Sequence, residues 1–245
     1  MSTIVVNTIN PYFMGGYITF NGTQITNNFN GSTIGIGTGT LQISSGINNV
    51  GVGRSSLNVL TTGGGNTGVG GSSLQSCTGS DNTGIGFNAG ATHTSGSNNI
   101  FIGRASYGST TTVSNEITLG NSANNVIRAA VTSITSLSDA RDKKDIEELP
   151  VGLSFIEKLN PVKFVWDDRN EDGRHDVKDF GFIAQELKSV QEEEGVADIL
   201  KLVYEENPDK LEASYGKLVP ILVKSIQELS KKVKELENKI NYESN

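Results

Sequence analysis

Ile34-Gly35-Ile36-Gly37, Val50-Gly51-Val52-Gly53, Thr67-Gly68-Val69-Gly70 and Thr83-Gly84-Ile85-Gly86 are one motif written four times. Two looser copies follow, Ile100-Phe101-Ile102-Gly103 and Ile117-Thr118-Leu119-Gly120, and the closing glycines advance by 16, 17, 16, 17 and 17 residues. Asn49, Asn66, Asn82 and Asn99 stand just before four of the copies, and a second arm returns as Arg54-Ser55-Ser56-Leu57, Gly71-Ser72-Ser73-Leu74 and Arg104-Ala105-Ser106. A fixed short period of this kind is the mark of stacked coils. Strands of three to five residues alternate with turns rich in Gly, Asn and Ser, which tolerate the positive φ angles of tight corners. The spacing predicts an all-β solenoid, a β-roll or β-helix-like shaft, with one β-branched residue of each copy turned inward. One coil buries about two apolar residues, too few against an ordering cost of about 1–2 kcal/mol per residue. Stacking helps, and winding around partner chains helps more, so an elongated oligomer is expected. A disordered Gly/Ser/Asn linker shares the composition but not the period. Gly63-Gly64-Gly65-Asn66-Thr67-Gly68 lacks the Lys-Ser/Thr of a phosphate loop.

Outward from the repeats the chemistry changes abruptly. Residues 1–137 hold 24 of the 29 glycines and five charges, Arg54, Asp81, Arg104, Glu116 and Arg128. Residues 138–245 hold 42 charged residues, 17 basic and 25 acidic, and four of the five prolines. The boundary near Ser138 divides a repeat shaft (31–137) from a charged domain (138–245). Residues 1–30 precede the repeats, with short strands expected around Ile4–Ile9 and Tyr17–Phe20; Ser2-Thr3-Ile4-Val5-Val6-Asn7-Thr8-Ile9 resembles the opening of many phage fibre proteins, which implies an attachment or capping segment. The net charge of −7 argues against a nucleic-acid partner. No apolar run approaches the roughly 18–20 residues of a membrane span, and MSTIVVNTINPYF lacks the basic and apolar regions of a secretory signal. A lone Cys77 excludes a disulfide framework and a cysteine-built zinc site, and His93 and His175 leave little for histidine ligation. No metal and no cofactor is expected. Two carboxylates for glycan hydrolysis are missing from 1–137, where Asp81 and Glu116 lie far apart in sequence.

The charged domain opens with Ser138-Asp139-Ala140-Arg141-Asp142-Lys143-Lys144-Asp145-Ile146. Leu153 to Leu159 reads as a short amphipathic helix, Pro161-Val162-Lys163-Phe164-Val165-Trp166 as a strand, and Phe180 to Leu187 as a strand running into a helix, with the remainder helical. Trp166 reads as a core residue and Glu192-Glu193-Glu194 as a solvated helix face. Asp168-Arg169-Asn170-Glu171-Asp172-Gly173 with Asp176 and Asp179 fits both a calcium loop and a hairpin with an Asp-Gly turn. Leu222, Ile226, Leu229, Val233, Leu236 and Ile240 form three heptads, a coiled-coil seam.

The glycine-rich copies resemble the Asn-x-x-Ala-Ile-Gly repeats of trimeric bacterial adhesin heads and phage tail-fibre shafts. The stretch Ser138–Ile146, with Pro161–Trp166 and Gly181-Phe182-Ile183-Ala184-Gln185-Glu186, resembles the intramolecular chaperone domain of endosialidases and phage tail fibres, a self-cleaving serine peptidase family. That resemblance implies an α+β chaperone domain ending in a long coiled-coil helix. It also implies a homotrimer made in the host cytoplasm and carried on the virion, with the particle, its baseplate or other fibre proteins and a host-surface receptor or glycan as partners. Ser138 would attack the Leu137–Ser138 bond and Lys143 would be the general base, with Asp139 and Arg141 in support. The residue types suit these roles. A serine hydroxyl needs a base, and a lysine serves only as the neutral amine, which burial or nearby cations favour. Arg141 and Lys144 are expected to supply that positive field. Ala140 replaces a frequent basic residue and Asp142 a frequent apolar one; an acid beside the base favours the ammonium and slows the reaction. Positions five apart do not face one another on a helix, so the segment must turn. The heptads leave dimer and trimer open, since β-branched residues at a with Leu at d favour two strands, whereas the resemblance implies three. The trimerising domain would set register for a shaft in which a slip of one coil costs little. A structural or adhesive trimer that never cuts is the alternative.

Overall fold

The computed structural model describes residues 17–20, 23–28, 33–42, 44–124, 126–130, 134–169 and 173–243. The chain divides into two compact units, Met1–Asn125 and Val126–Asn245, which places 126–137 with the charged half. The expected strand at Ile4–Ile9 lies outside the described residues.

The first unit is a parallel β-solenoid. Strands β1 (Tyr17–Phe20) and β2 (Thr23–Asn28) pair antiparallel, and β2 pairs antiparallel with β3 (Thr33–Ile36). From β3 onward every pairing is parallel: β4 (Val50–Val52), β5 (Thr67–Val69), β6 (Thr83–Ile85), β7 (Ile100–Ile102) and β8 (Ile117–Leu119) stack in unbroken register. Each coil thus adds one strand to a single sheet, and β2 occupies the edge that a preceding coil would use.

The interior is the reverse of the expected one. In each three-residue strand the central residue faces in and both flanking residues face out, the period-two rule of a strand. The centre is glycine in four copies, and Gly35, Gly51, Gly68 and Gly84 are buried, whereas Ile36, Val69, Ile85, Ile102 and Leu119 are 36–57% exposed. The arm of the preceding coil fills the space beneath the strand. A Cβ on Gly68 would stand 2.5 Å from Ser56 Oγ, and one on Gly84 would stand 2.5 Å from Ser73 Oγ and 2.8 Å from Leu74 Cγ. The core is Leu41, Leu57, Leu60, Leu74, Cys77, Ala89 and Phe101. Leu41, Leu57 and Leu74 occupy one position of the arm at φ near +50°, a strained conformation for leucine held by complete or near-complete burial.

Between the fourth and fifth coils the two sizes trade places. Phe101 takes the strand position held by glycine in four earlier copies, and Gly90 (φ +60°) takes the arm position of the leucines. A Cβ on Gly90 would meet Phe101 Cδ2 at 2.5 Å. The coils are therefore not interchangeable, and a slip within the chain is opposed at this layer.

A ladder of asparagines runs beside the leucines. Asn49, Asn66, Asn82 and Asn99 are fully buried. Each Oδ1 accepts the backbone N–H of its counterpart one coil on: Asn66 N to Asn49 (2.9 Å), Asn82 N to Asn66 (3.0 Å), Asn99 N to Asn82 (3.1 Å) and Glu116 N to Asn99 (2.9 Å). Each Nδ2 donates to a carbonyl at the corner of the next coil, Gly63, Gly79, Gly96 and Val113. Each asparagine thus serves one backbone amide and one corner carbonyl of the next coil, groups that burial would otherwise cut off from water.

The second unit is a mixed α/β domain. Its core joins Val151, Phe155, Val196, Leu200, Leu202, Leu218 and Ile221. Helix α1 (Leu153–Ile156) is a single turn tied to the long C-terminal helix α4 (Leu218–Glu243) by Glu228, whose carboxylate accepts Leu153 N at 2.8 Å. Strands β9 (Val162–Asp167) and β10 (His175–Gly181) form an antiparallel hairpin, followed by α2 (Ala184–Glu193) and α3 (Ala197–Leu200). The remainder is not wholly helical, because β11 (Val203–Tyr204) and β12 (Glu212–Ala213) pair before α4.

Candidate functional site

The stretch that opens the charged half packs on little: Leu137 and every residue from Ser138 to Glu148 are exposed. Its geometry comes from one turn. Asp139 is extended, Ala140–Asp142 form a single 3-10 turn, and Lys143 is extended again. Asp142 N donates to Asp139 O and Lys143 N to Ala140 O, each at 3.2 Å. The turn reverses the chain enough for positions five apart to meet. Lys143 Nζ lies 2.6 Å from Ser138 Oγ and 3.1 Å from Ser138 O. Sequence spacing demanded such a turn without revealing it.

Asp139 and Arg141, expected in support of the pair, are brought together. Asp139 Oδ1 accepts Arg141 N at 2.9 Å, and the Arg141 guanidinium closes on both carboxylate oxygens, with Nη2 2.6 Å from Oδ2. These bonds from Arg141 hold the Asp139 carboxyl below its usual range and raise the guanidinium above its own. Arg141 thus places its charge on Asp139.

The described residues put the Asp168–Asp179 stretch in a hairpin, with Asn170, Glu171 and Asp172 outside them. Asp168 accepts Arg174 N at 2.8 Å, and Asp179 accepts the Trp166 indole N–H at 3.0 Å. Among the described residues no group of three or more His, Cys, Asp or Glu is placed to hold a metal ion. Trp166 is not in the main core. It stands half-buried on the hairpin, edge-on to Phe164 and beneath the Arg174 guanidinium. Of the three consecutive glutamates, Glu194 pairs with Lys158 and Glu193 accepts Ser189 Oγ at 2.9 Å.

The motif Gly181-Phe182 has a structural reason that sequence reading missed. Phe182 N donates to Tyr215 Oη at 2.9 Å, the two rings meet edge to face, and a Cβ on Gly181 would stand 2.4 Å from that hydroxyl. Nothing local to Gly181 announces a tyrosine so far along the chain.

On α4, Leu218, Ile221 and Ser225 are buried on the domain. The heptad residues Leu222, Ile226, Leu229, Val233, Leu236 and Ile240 are 42–65% exposed in the single chain.

No curated protein and no solved structure matches the chain. A family model does match, over the residues that carry the turn, the hairpin and α2: the chain has, at residues 138–196, a domain of the Peptidase_S74 family, the chaperone of endosialidase.

Proposed function

We propose that this is a tail-fibre-like protein of a virus particle whose C-terminal domain assembles three copies and is then cut away at Leu137–Ser138. The observation that carries the cleavage is the 2.6 Å approach of Lys143 Nζ to Ser138 Oγ, at the first residue of the matched domain. A hydroxyl attacking the carbonyl on its own N-terminal side closes a five-membered ring. Lys143, as the neutral amine, takes the hydroxyl proton. The Oγ–C bond forms, the C–N bond breaks, and the proton passes to the departing nitrogen. Leu137 is left as an ester on Ser138, and water then hydrolyses the ester to a Leu137 carboxylate and restores the hydroxyl.

Two rows of exposed apolar residues support self-association. One is the α4 seam. The other runs along the solenoid sheet through Ile36, the half-buried Val52, Val69, Ile85, Ile102 and Leu119, neighbours in unbroken parallel register. The seam sets chain number at one end and the sheet row extends contact along the shaft. Packing of copies around the exposed Ser138–Lys143 pair dries it, which favours the neutral amine and delays cutting until assembly. Release of the folded domain removes the template for refolding, so the shaft persists kinetically. One end of the shaft is attached to the particle, and the other meets a host-surface receptor or glycan.

The test is a denaturing gel and mass spectrometry of the expressed chain. Fragments ending at Leu137 and beginning at Ser138 are expected, with one intact band for Ser138→Ala and for Lys143→Ala. A wild-type assembly that stays whole rejects the cleavage and leaves a trimer that only holds its fibre together.

A further inference from the structure

The turn that brings Lys143 to Ser138 has little to hold it. It is one 3-10 turn, its residues bury nothing, and its two backbone hydrogen bonds are both 3.2 Å long. An isolated turn of this length is not self-supporting, because fixing several dihedrals for so few hydrogen bonds is unfavourable. One side chain supplies the missing hold. Asp139 Oδ1 accepts Arg141 N, the bond a capping residue makes to the second residue of its turn, and the same carboxylate receives Arg141 Nε and Nη2. We infer that Asp139 is a positioning residue for the cleavage: its side chain caps the turn and so sets the fraction of chains in which the lysine amine reaches the serine hydroxyl. This rests on the Ser138–Lys143 reading and adds a component to it.

The side chains of this ion pair are solvent-exposed, Arg141 88% and Asp139 42%, so the pair adds little to the stability of the domain. Changing it tests positioning without unfolding the chain.

The experiment measures the rate of autocleavage of the full chain across a pH series, with circular dichroism and sedimentation as controls for folding and assembly. Asp139→Ala removes the cap and slows cleavage by about five-fold or more, the population change expected for a lost capping side chain. Asp139→Ala and Asp139→Asn remove the same carboxylate charge and so share any displacement of the pH–rate midpoint; only Asp139→Ala loses plateau rate, because the cap acts on geometry. Asp139→Asn keeps an oxygen that accepts Arg141 N, and asparagine caps as well as aspartate, so it restores the rate to within about three-fold of wild type. Asp139→Ala at the wild-type rate overturns the proposal, as does Asp139→Asn as slow as Asp139→Ala. If Ser138→Ala still cleaves, or the wild type does not, the dyad reading itself fails and the positioning role falls with it. A wild type that cleaves, a dead Ser138→Ala and an unimpaired Asp139→Ala reject the positioning role alone.

Discussion

Exchanging Phe101 and Gly90 tests whether the solenoid core is keyed coil by coil. Phe101 is fully buried, and an aromatic side chain buries about 150–250 Å². At about 25 cal/mol per Å², Phe101→Gly forfeits about 4–6 kcal/mol. Gly90→Leu forces a side chain into the ring, since its Cβ alone meets Phe101 at 2.5 Å and Leu74 Cδ2 at 2.8 Å; overpacking of this kind costs about 1–3 kcal/mol or more. The double variant rebuilds the arrangement of the preceding coils, a glycine strand centre over a leucine arm. Leucine tolerates the φ of +60° at position 90, as Leu41, Leu57 and Leu74 do at nearly the same angle. It should therefore be more stable than either single variant, with a coupling of at least about 2 kcal/mol, in the upper range for residues in contact. The assay is hydrogen exchange on the full chain, read at amides of the coil such as Gly90 and Ala105, which separates the shaft from the C-terminal unit. Single costs that simply add in the double variant refute the keyed-core argument.

Other outcomes follow from single observations. Asn82→Ala leaves the buried Asn99 N–H without its partner, while the Gly96 carbonyl keeps His93 Nε2. At about 1–3 kcal/mol for an orphaned group, it should lower shaft stability by about that much in denaturant unfolding, while Thr92→Ala, an exposed residue, stays within about 0.5 kcal/mol. Burial pushes the Cys77 thiol up to about 11 from 9.0. The folded state therefore favours the protonated thiol: that contribution is intact below pH 9 and is lost as pH rises from about 9 to about 11. In the native protein at pH 8 a thiol reagent should fail to label Cys77 and should label it on unfolding. Leu229→Asp, on the exposed seam of α4, should lower the sedimentation mass without changing helix content. Gly181→Ala should loosen the hairpin from Tyr215, lowering the melting temperature of the C-terminal unit, because its Cβ takes the space of the Tyr215 hydroxyl.

The sequence alone determined the coil period, the boundary of composition near Ser138, the heptads and the family of the charged half. Each depends on residues close together or repeated at a constant interval, so a one-dimensional reading suffices. It did not determine which face of the repeat is inside. A strand reading x-Gly-x places its β-branched residues together on one face, and only the path of the neighbouring arm shows that this face is the outer one. There Leu57 and Ser56 lie under Gly68. The Phe101–Gly90 exchange is likewise invisible without the stacking, because its partners lie in different coils. In the site, the family resemblance named Ser138 and Lys143 and the residue types suit those roles, but spacing of five said only that a turn was needed. The tertiary structure decided the form of that turn and paired Arg141 with Asp139. Tyr215 at Gly181 and Glu228 at Leu153 were beyond the sequence for the same reason: contacts between distant segments are chosen by packing, which no local pattern encodes.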